Sequence, residues 1–432
     1  MFALLSAARK ALTQAVSVSG PRAEDPDGIS GGVSEHPAKR TGTGRFAARR
    51  GLLVGLPAAA LLAACTPGGF GGGGGGGPSI NASAPVPVAL LVPKGSGSSG
   101  DAILAASLEN SARLAMSQLN GVQIDLRVYD TAGDVATTTS VTEQAISAGA
   151  KIILGPVYAA NANAAGHVAK SHGINVLAFS NNSDIAGGNV FILGPTFRNT
   201  ANRLTQYATR QGRQRIVTVY GNTAEGQAGA AAISNAAAQA GATITASVPY
   251  EFSQQGVIDA LPAISGAAGA GRADAVFLTA NAAGALPILT QLMPEQGLDP
   301  ASLQYIGLTR WDVPAQTLDL PGVQGGWFAM PDPNVAAQFQ SRYQAAYGNA
   351  PHPIGQLGFD GIAAIGALIS SGRSDALGAS SLTQGAGFQG AGGIFRLLAD
   401  GSNERGLAIA TVQNHQVVVI DPAPSSFGGF GF

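Results

Sequence analysis

From residue 86 onward, short apolar runs alternate with longer amphipathic stretches. The runs at 86–92, 124–129, 151–154 and 175–179 predict strands, and the stretches 101–119, 134–148 and 161–172 predict the helices between them. The rhythm then resumes, with strands at 216–220, 243–248, 275–279 and 305–308 and helices at 224–240, 257–268 and 284–293. Strands this short and this apolar, joined through helices, pair in parallel, because a parallel connection needs a crossover and helices then cover both sheet faces. The pattern predicts an α/β chain with two doubly wound parallel-sheet lobes around a cleft. Ligands of such sheets bind beyond the carboxyl ends of the strands, so the cleft is the expected binding site.

The chain before residue 86 is of another kind. Arg45, Arg49 and Arg50 precede a 14-residue apolar run, 51–64, too short to cross a bilayer as a helix and of the length of a signal-peptide core. It ends in Leu62-Ala63-Ala64-Cys65, which resembles the bacterial lipobox, where small residues fit the signal peptidase and the thiol is lipidated. Cys65 is the single cysteine, and a buried free thiol is the alternative for it. Residues 1–64 therefore read as a signal peptide with an extended leader. Arg49-Arg50-Gly51-Leu52-Leu53 resembles a twin-arginine signal, which leaves both the Sec and the twin-arginine export routes open. Thr66, in place of Asp, implies by resemblance to known lipoprotein sorting a periplasmic protein anchored to the outer membrane. Residues 65–85, rich in Gly and Pro, form a tether that reaches roughly 70 Å when extended and about 25 Å as a coil.

Composition narrows the function. Charged residues are 11% of the chain and hydrophobic residues 45%, as in a folded, weakly charged protein. Eight Lys/Arg and four Asp/Glu fall in 1–64, leaving 16 basic and 21 acidic residues, a net −5, for the remainder. That balance offers no basic patch to neutralise phosphates and argues against nucleic acid as a partner.

Several segments resemble type I periplasmic binding proteins of the leucine/isoleucine/valine class. They are Ala89-Leu90-Leu91-Val92-Pro93 before a Gly/Ser loop, Val128-Tyr129-Asp130-Thr131, Gly149 to Pro156, and Ile174 to Ser180. Within that class the chain is similar to penicillin-binding protein activator lipoproteins. The likeness rests on Val128-Tyr129-Asp130-Thr131-Ala132-Gly133, the strand ending Ile153-Leu154-Gly155-Pro156, Val176-Leu177-Ala178, Gly358-Phe359-Asp360-Gly361 and the loop Gly387 to Gly393. Two final strands joined by an Asp400-Gly401 turn complete it. The resemblance implies a type I periplasmic-binding-protein fold, with lobe 1 at 86–194 plus 331–393, lobe 2 at 195–330 plus 394–421, and a flexible tail at 422–432. It implies a non-catalytic lipoprotein that activates a peptidoglycan synthase by contact. The alternative is the substrate-binding lipoprotein of an ABC transporter, with a permease as partner and an amino acid or another small polar solute as ligand. No cofactor is expected.

The same resemblance nominates the ligand residues. Amino-acid binders of this class offer hydroxyls after the third strand, where this chain has Val157-Tyr158-Ala159-Ala160-Asn161, with only the phenol of Tyr158. Ser180, Asn181 and Asn182 stand where the rest of the carboxylate site is expected, and Asn222 and Asn281 end strands of the second lobe. The acid that pairs with a ligand ammonium is replaced by Leu308-Thr309-Arg310-Trp311-Asp312, so the pocket is expected to present Arg310, with Asp312 as a substitute acid. An anionic, sugar-like or peptide ligand suits Arg310 better than a zwitterion. Each candidate has a plain alternative: Asn181 and Asn182 as turn or cap residues, Tyr158 as packing, and Arg310 as a surface cation stacked on Trp311.

Enzymatic motifs do not hold up. Gly95-Ser96-Gly97-Ser98-Ser99-Gly100 with Asp130 outlines a dinucleotide fingerprint, but the acid lies about 30 positions on where about 20 is required. His36, His167, His172, His352 and His415 lack metal-ligand spacing, and no G-x-S-x-G elbow is present from residue 86 onward.

Overall fold

The computed structural model describes residues 77–428. The signal segment, Cys65, the tether up to residue 76 and the last four residues of the expected tail lie outside the described residues.

The first lobe is built on β1 (Val86–Val92), β2 (Ile124–Asp130), β3 (Ile152–Leu154), β4 (Val176–Ala178) and β5 (Val190–Ile192), all parallel in the order β2-β1-β3-β4-β5. Its first helices are α1 (Ser99–Met116), α2 (Val135–Ser147) and α3 (Ala159–Lys170). The unbroken apolar run of β1 follows from burial on both faces. Val88, Leu90 and Val92 pack with Leu104 and Leu108 of α1, whereas Ala89 and Leu91 pack with Ala162 and Ala165 of α3. Full burial of Leu90 and Leu91 contributes about 1.5–3 kcal/mol each.

The second lobe repeats the scheme. Strands β6 (Arg215–Gly221), β7 (Thr243–Tyr250), β8 (Ala275–Leu278), β9 (Gln304–Gly307) and β10 (Trp327–Met330) run parallel in the order β7-β6-β8-β9-β10. Helices α4 (Phe197–Arg210) and α5 (Ala224–Ala240) cover one face, and α6 (Gln254–Ala268) and α7 (Leu286–Glu295) the other. After β10 the chain returns to the first lobe as α8 (Pro333–Tyr347), α9 (Gln356–Ile369) and the single turn α10 (Ala379–Leu382). A small antiparallel sheet follows, made of β11 (Phe388–Gly390), β12 (Gly393–Leu397) and β13 (Asn403–Arg405). The antiparallel pair β14 (Ala408–Gln413) and β15 (Gln416–Asp421) then extends the second sheet beside β10.

Two expectations from the sequence are corrected here. The Asp400-Gly401 turn joins β12 to β13 and does not join the last two strands. The final hairpin turns at Asn414 and His415, both at positive φ, as a two-residue hairpin loop requires. The last passage between lobes, expected at 394, lies beyond β13, because Phe395 and Leu397 are buried in the first lobe's core.

Three segments therefore join the lobes: β5 to α4, β10 to α8, and β13 to β14. One ion pair sits at their centre. Arg405 Nη1 donates to Asp360 Oδ2 at 2.9 Å, Arg405 Nη2 donates to the Leu193 carbonyl, and Asp360 Oδ1 accepts from Ala391 N at 2.7 Å. Asp360 is fully buried and Arg405 nearly so, with its guanidinium 5.2 Å from the Phe395 ring centroid. Around the pair, Asn403 Nδ2 donates to the Ile192 and Gly194 carbonyls, Asn199 Nδ2 donates to the Asn403 carbonyl, and Arg203 Nε donates to the Leu407 carbonyl. Asp332 N donates to the Gly392 carbonyl, which adds the middle crossing to the network.

Replacing Asp360 by Ala leaves Arg405 buried without a counter-charge and is expected to lower unfolding free energy by about 3–5 kcal/mol. Urea denaturation reads this directly, and a loss below about 1 kcal/mol, the scale of an exposed pair, would refute a central role for the pair.

Candidate ligand site between the lobes

A cavity of about 500 Å³ opens where the three crossings meet. The second lobe lines it with Asn281 after β8, Leu308, Thr309 and Arg310 after β9, and Met330 at the end of β10. These are carboxyl ends of parallel strands, the position in which open α/β sheets place their ligands. The first lobe contributes Pro353, Ile354, Gln356 and Leu357 around the start of α9. The crossings themselves supply Pro195 to Phe197, Gly392, Ile394 and Arg405 to Leu407. The volume matches a small organic molecule.

The wall is mainly apolar, with polar groups placed singly. No Asp, Glu, Lys or His lines it among the described residues. Among the described residues the side chains of Asn281, Thr200 and Gln356 make no hydrogen bond, and Thr309 Oγ1 donates to the Ala280 carbonyl at 3.1 Å. Arg405 Nε is buried and has no hydrogen-bond partner among the described residues. Arg310 holds Asp312 through two contacts, Nε to Oδ1 at 2.9 Å and Nη2 to Oδ2 at 2.5 Å.

The loop that carries Arg310 is pinned by its neighbour. Trp311 is fully buried beside Phe328, with ring centroids 6.5 Å apart, so it offers no surface for stacking. Gly307 and Gly326 leave the room for the indole, since a Cβ on either would collide with it.

The nominated residues separate into two groups. Asn281 and Arg310 line the cavity together, whereas Tyr158, Ser180, Asn181, Asn182 and Asn222 do not. Tyr158 precedes the first turn of α3 and donates its hydroxyl to Asp101. Partial burial and that hydrogen bond push its phenol up to about 12, which keeps the donor protonated. Ser180 is buried and its Oγ accepts from Asn182 N at 3.1 Å, and Asn182 Oδ1 accepts from Asp184 N at 2.8 Å to cap a short 3-10 turn. Asn181 is exposed. Asn222 Nδ2 donates to Glu251 Oε1 at 2.8 Å, and its Oδ1 accepts from Gln227 Nε2 at 3.1 Å.

Arg405, Gln356 and Thr200 are cavity residues that the sequence reading missed. Arg405 gives no local signal, because its role depends on Asp360, 45 positions earlier. The glycine loop that outlines a dinucleotide fingerprint is closed by its own acid: Asp130 Oδ1 accepts from Gly95 N at 2.9 Å and from Ala132 N at 2.8 Å. Among the described residues no group of three or more His, Cys, Asp or Glu is arranged to hold a metal ion.

The family model "Periplasmic binding protein" matches residues 85–416. No curated protein matches the chain. Among solved structures, it is similar to a branched-chain amino acid ABC transporter periplasmic ligand-binding protein from Burkholderia xenovorans, with a TM-score of 0.60, 17% identity, and coverage of 80% of this chain and 97% of that one. An ABC transporter substrate-binding protein from Desulfitobacterium hafniense in complex with Leu gives a TM-score of 0.56 at 18% identity, covering 78% of this chain and 100% of that one. An ABC transporter solute-binding protein from R. palustris in complex with benzoate gives 0.52 at 18% identity, covering 81% and 99%. With two sheets of one strand order, three crossings and a match over most of its length, the chain belongs to the periplasmic binding protein family and has the type I fold.

Proposed function

We propose that the protein is the solute-binding component of an ABC transporter, which captures a small molecule between its lobes and presents it to a membrane permease without catalysing a reaction. One observation carries this reading: the cavity is lined by both lobes and by all three crossings. A molecule held there touches both halves, so rotation about the crossings couples its binding to closure. The structural relatives that hold Leu or benzoate support a small solute as the ligand.

The likeness to penicillin-binding protein activators supports a second reading, contact with a peptidoglycan synthase. The segments that carry that likeness have work inside the fold. Asp360 of Gly358-Phe359-Asp360-Gly361 holds Arg405, Ala391 of the Gly387 to Gly393 loop donates to Asp360, and Asp130 closes the glycine loop. Those tasks suit any two-lobed binder, and the transporter reading is therefore preferred.

We further propose that Cys65 carries a lipid and that the glycine tether keeps the domain on the periplasmic side of a membrane. Thr66 points to the outer membrane; a permease partner requires the domain to reach the inner one.

Crosslinking in living cells, followed by identification of the captured partner, is expected to recover a transport permease. Recovery of a cell-wall synthase and no permease would reverse the preference. Replacing Cys65 by Ser is expected to move the protein from the membrane fraction to the soluble periplasm, and retention of the variant in membranes would dismiss the anchor.

A further inference from the structure

We infer that the interlobe cavity selects a small apolar carboxylate that carries no ammonium group, an inference that rests on the solute-binding reading above. The selection is electrostatic. Two ion pairs adjoin the cavity, Arg310 with Asp312 and Arg405 with Asp360, and in each the arginine is a wall residue while the acid is not. Both pairs thus place a cation and no anion among the wall residues. Their acids are spent: Asp312 on two contacts to Arg310, and Asp360 on Arg405 and the Ala391 N–H.

An α-amino acid placed here brings an ammonium to a wall without a carboxylate. That charge is stripped of water and gains no partner, which penalises it heavily. A carboxylate meets the opposite situation. Arg310, whose side chain is 41% exposed, stands in the wall, and the amides of Asn281 and Gln356 make no hydrogen bond among the described residues. An anionic oxygen satisfies such donors in short, charge-assisted bonds. The remainder of the ligand faces Phe197, Leu308, Met330 and Ile354, which reward an apolar body.

Three molecules of one shape separate the terms: 3-phenylpropionate, phenylalanine, which adds the ammonium, and 3-phenylpropanamide, which removes the charge. Calorimetric titration of the full chain is expected to show 3-phenylpropionate bound at least about tenfold more tightly than either of the others, a difference of about 1.4 kcal/mol. Arg310→Gln leaves Asp312 uncompensated, so it is expected to reduce the preference for acid over amide by about tenfold while the amide affinity holds. Equal or tighter binding of phenylalanine, or an amide as good as the acid, would overturn the inference and leave the solute-binding reading standing. Failure of all three, with leucine and benzoate also silent in a thermal-shift assay, would remove both.

Discussion

The buried contact between Asp360 and Arg405 is the constraint on which the two-lobed arrangement turns. A guanidinium and a carboxylate withdrawn from water are costly unless each finds its full set of partners. Here the partners come from different crossings: the Leu193 carbonyl from the first, and the Ala391 N–H from the small sheet that precedes the third. Asn403 and Asn199 extend the same network to the start of α4. Satisfying one pair therefore places three separate strands of chain side by side, and the cavity is the space they leave beneath the second lobe's strand ends.

This placement gives the family motifs a physical meaning. The Gly at 361 lets α9 lie against Leu154, since a Cβ there would collide with that side chain. Gly390 has the same need toward Asp360. The Gly358 to Gly361 segment and the Gly387 to Gly393 loop are thus fitted to each other around the ion pair. Sequence likeness in these segments reports this packing at the crossings more than it reports a partner.

Much of the fold was legible because burial on both faces leaves continuous apolar runs, as in β1, β6 and β8, where the sequence reading and the structure differ by a residue or two at most. The missed elements lack that mark. β5 is only three residues long, and α4 is rich in Arg, Asn, Thr and Gln, so its helix is signalled chiefly by the Thr196–Asn199 capping box at its start. The site was less legible. Asn281 and Arg310 follow strands at a recognisable offset, and the structure brings them together. The asparagines at 182 and 222 follow strands at similar offsets but meet local partners, Asp184 N and Glu251, that a linear reading does not reveal. Arg405 became visible only in three dimensions, as the partner of an acid on a distant helix.

The interleaving of the lobes has a temporal consequence. The edge beside β5 is held by Asn403, whose amide bonds to the Ile192 carbonyl across 211 positions, and the second sheet is finished by β14 and β15 at the far end of the chain. Neither half can reach its final form as an early, self-sufficient module, because each is completed by residues between 403 and 421. Contacts at such sequence separation close late in folding, after the long intervening loops have been drawn in.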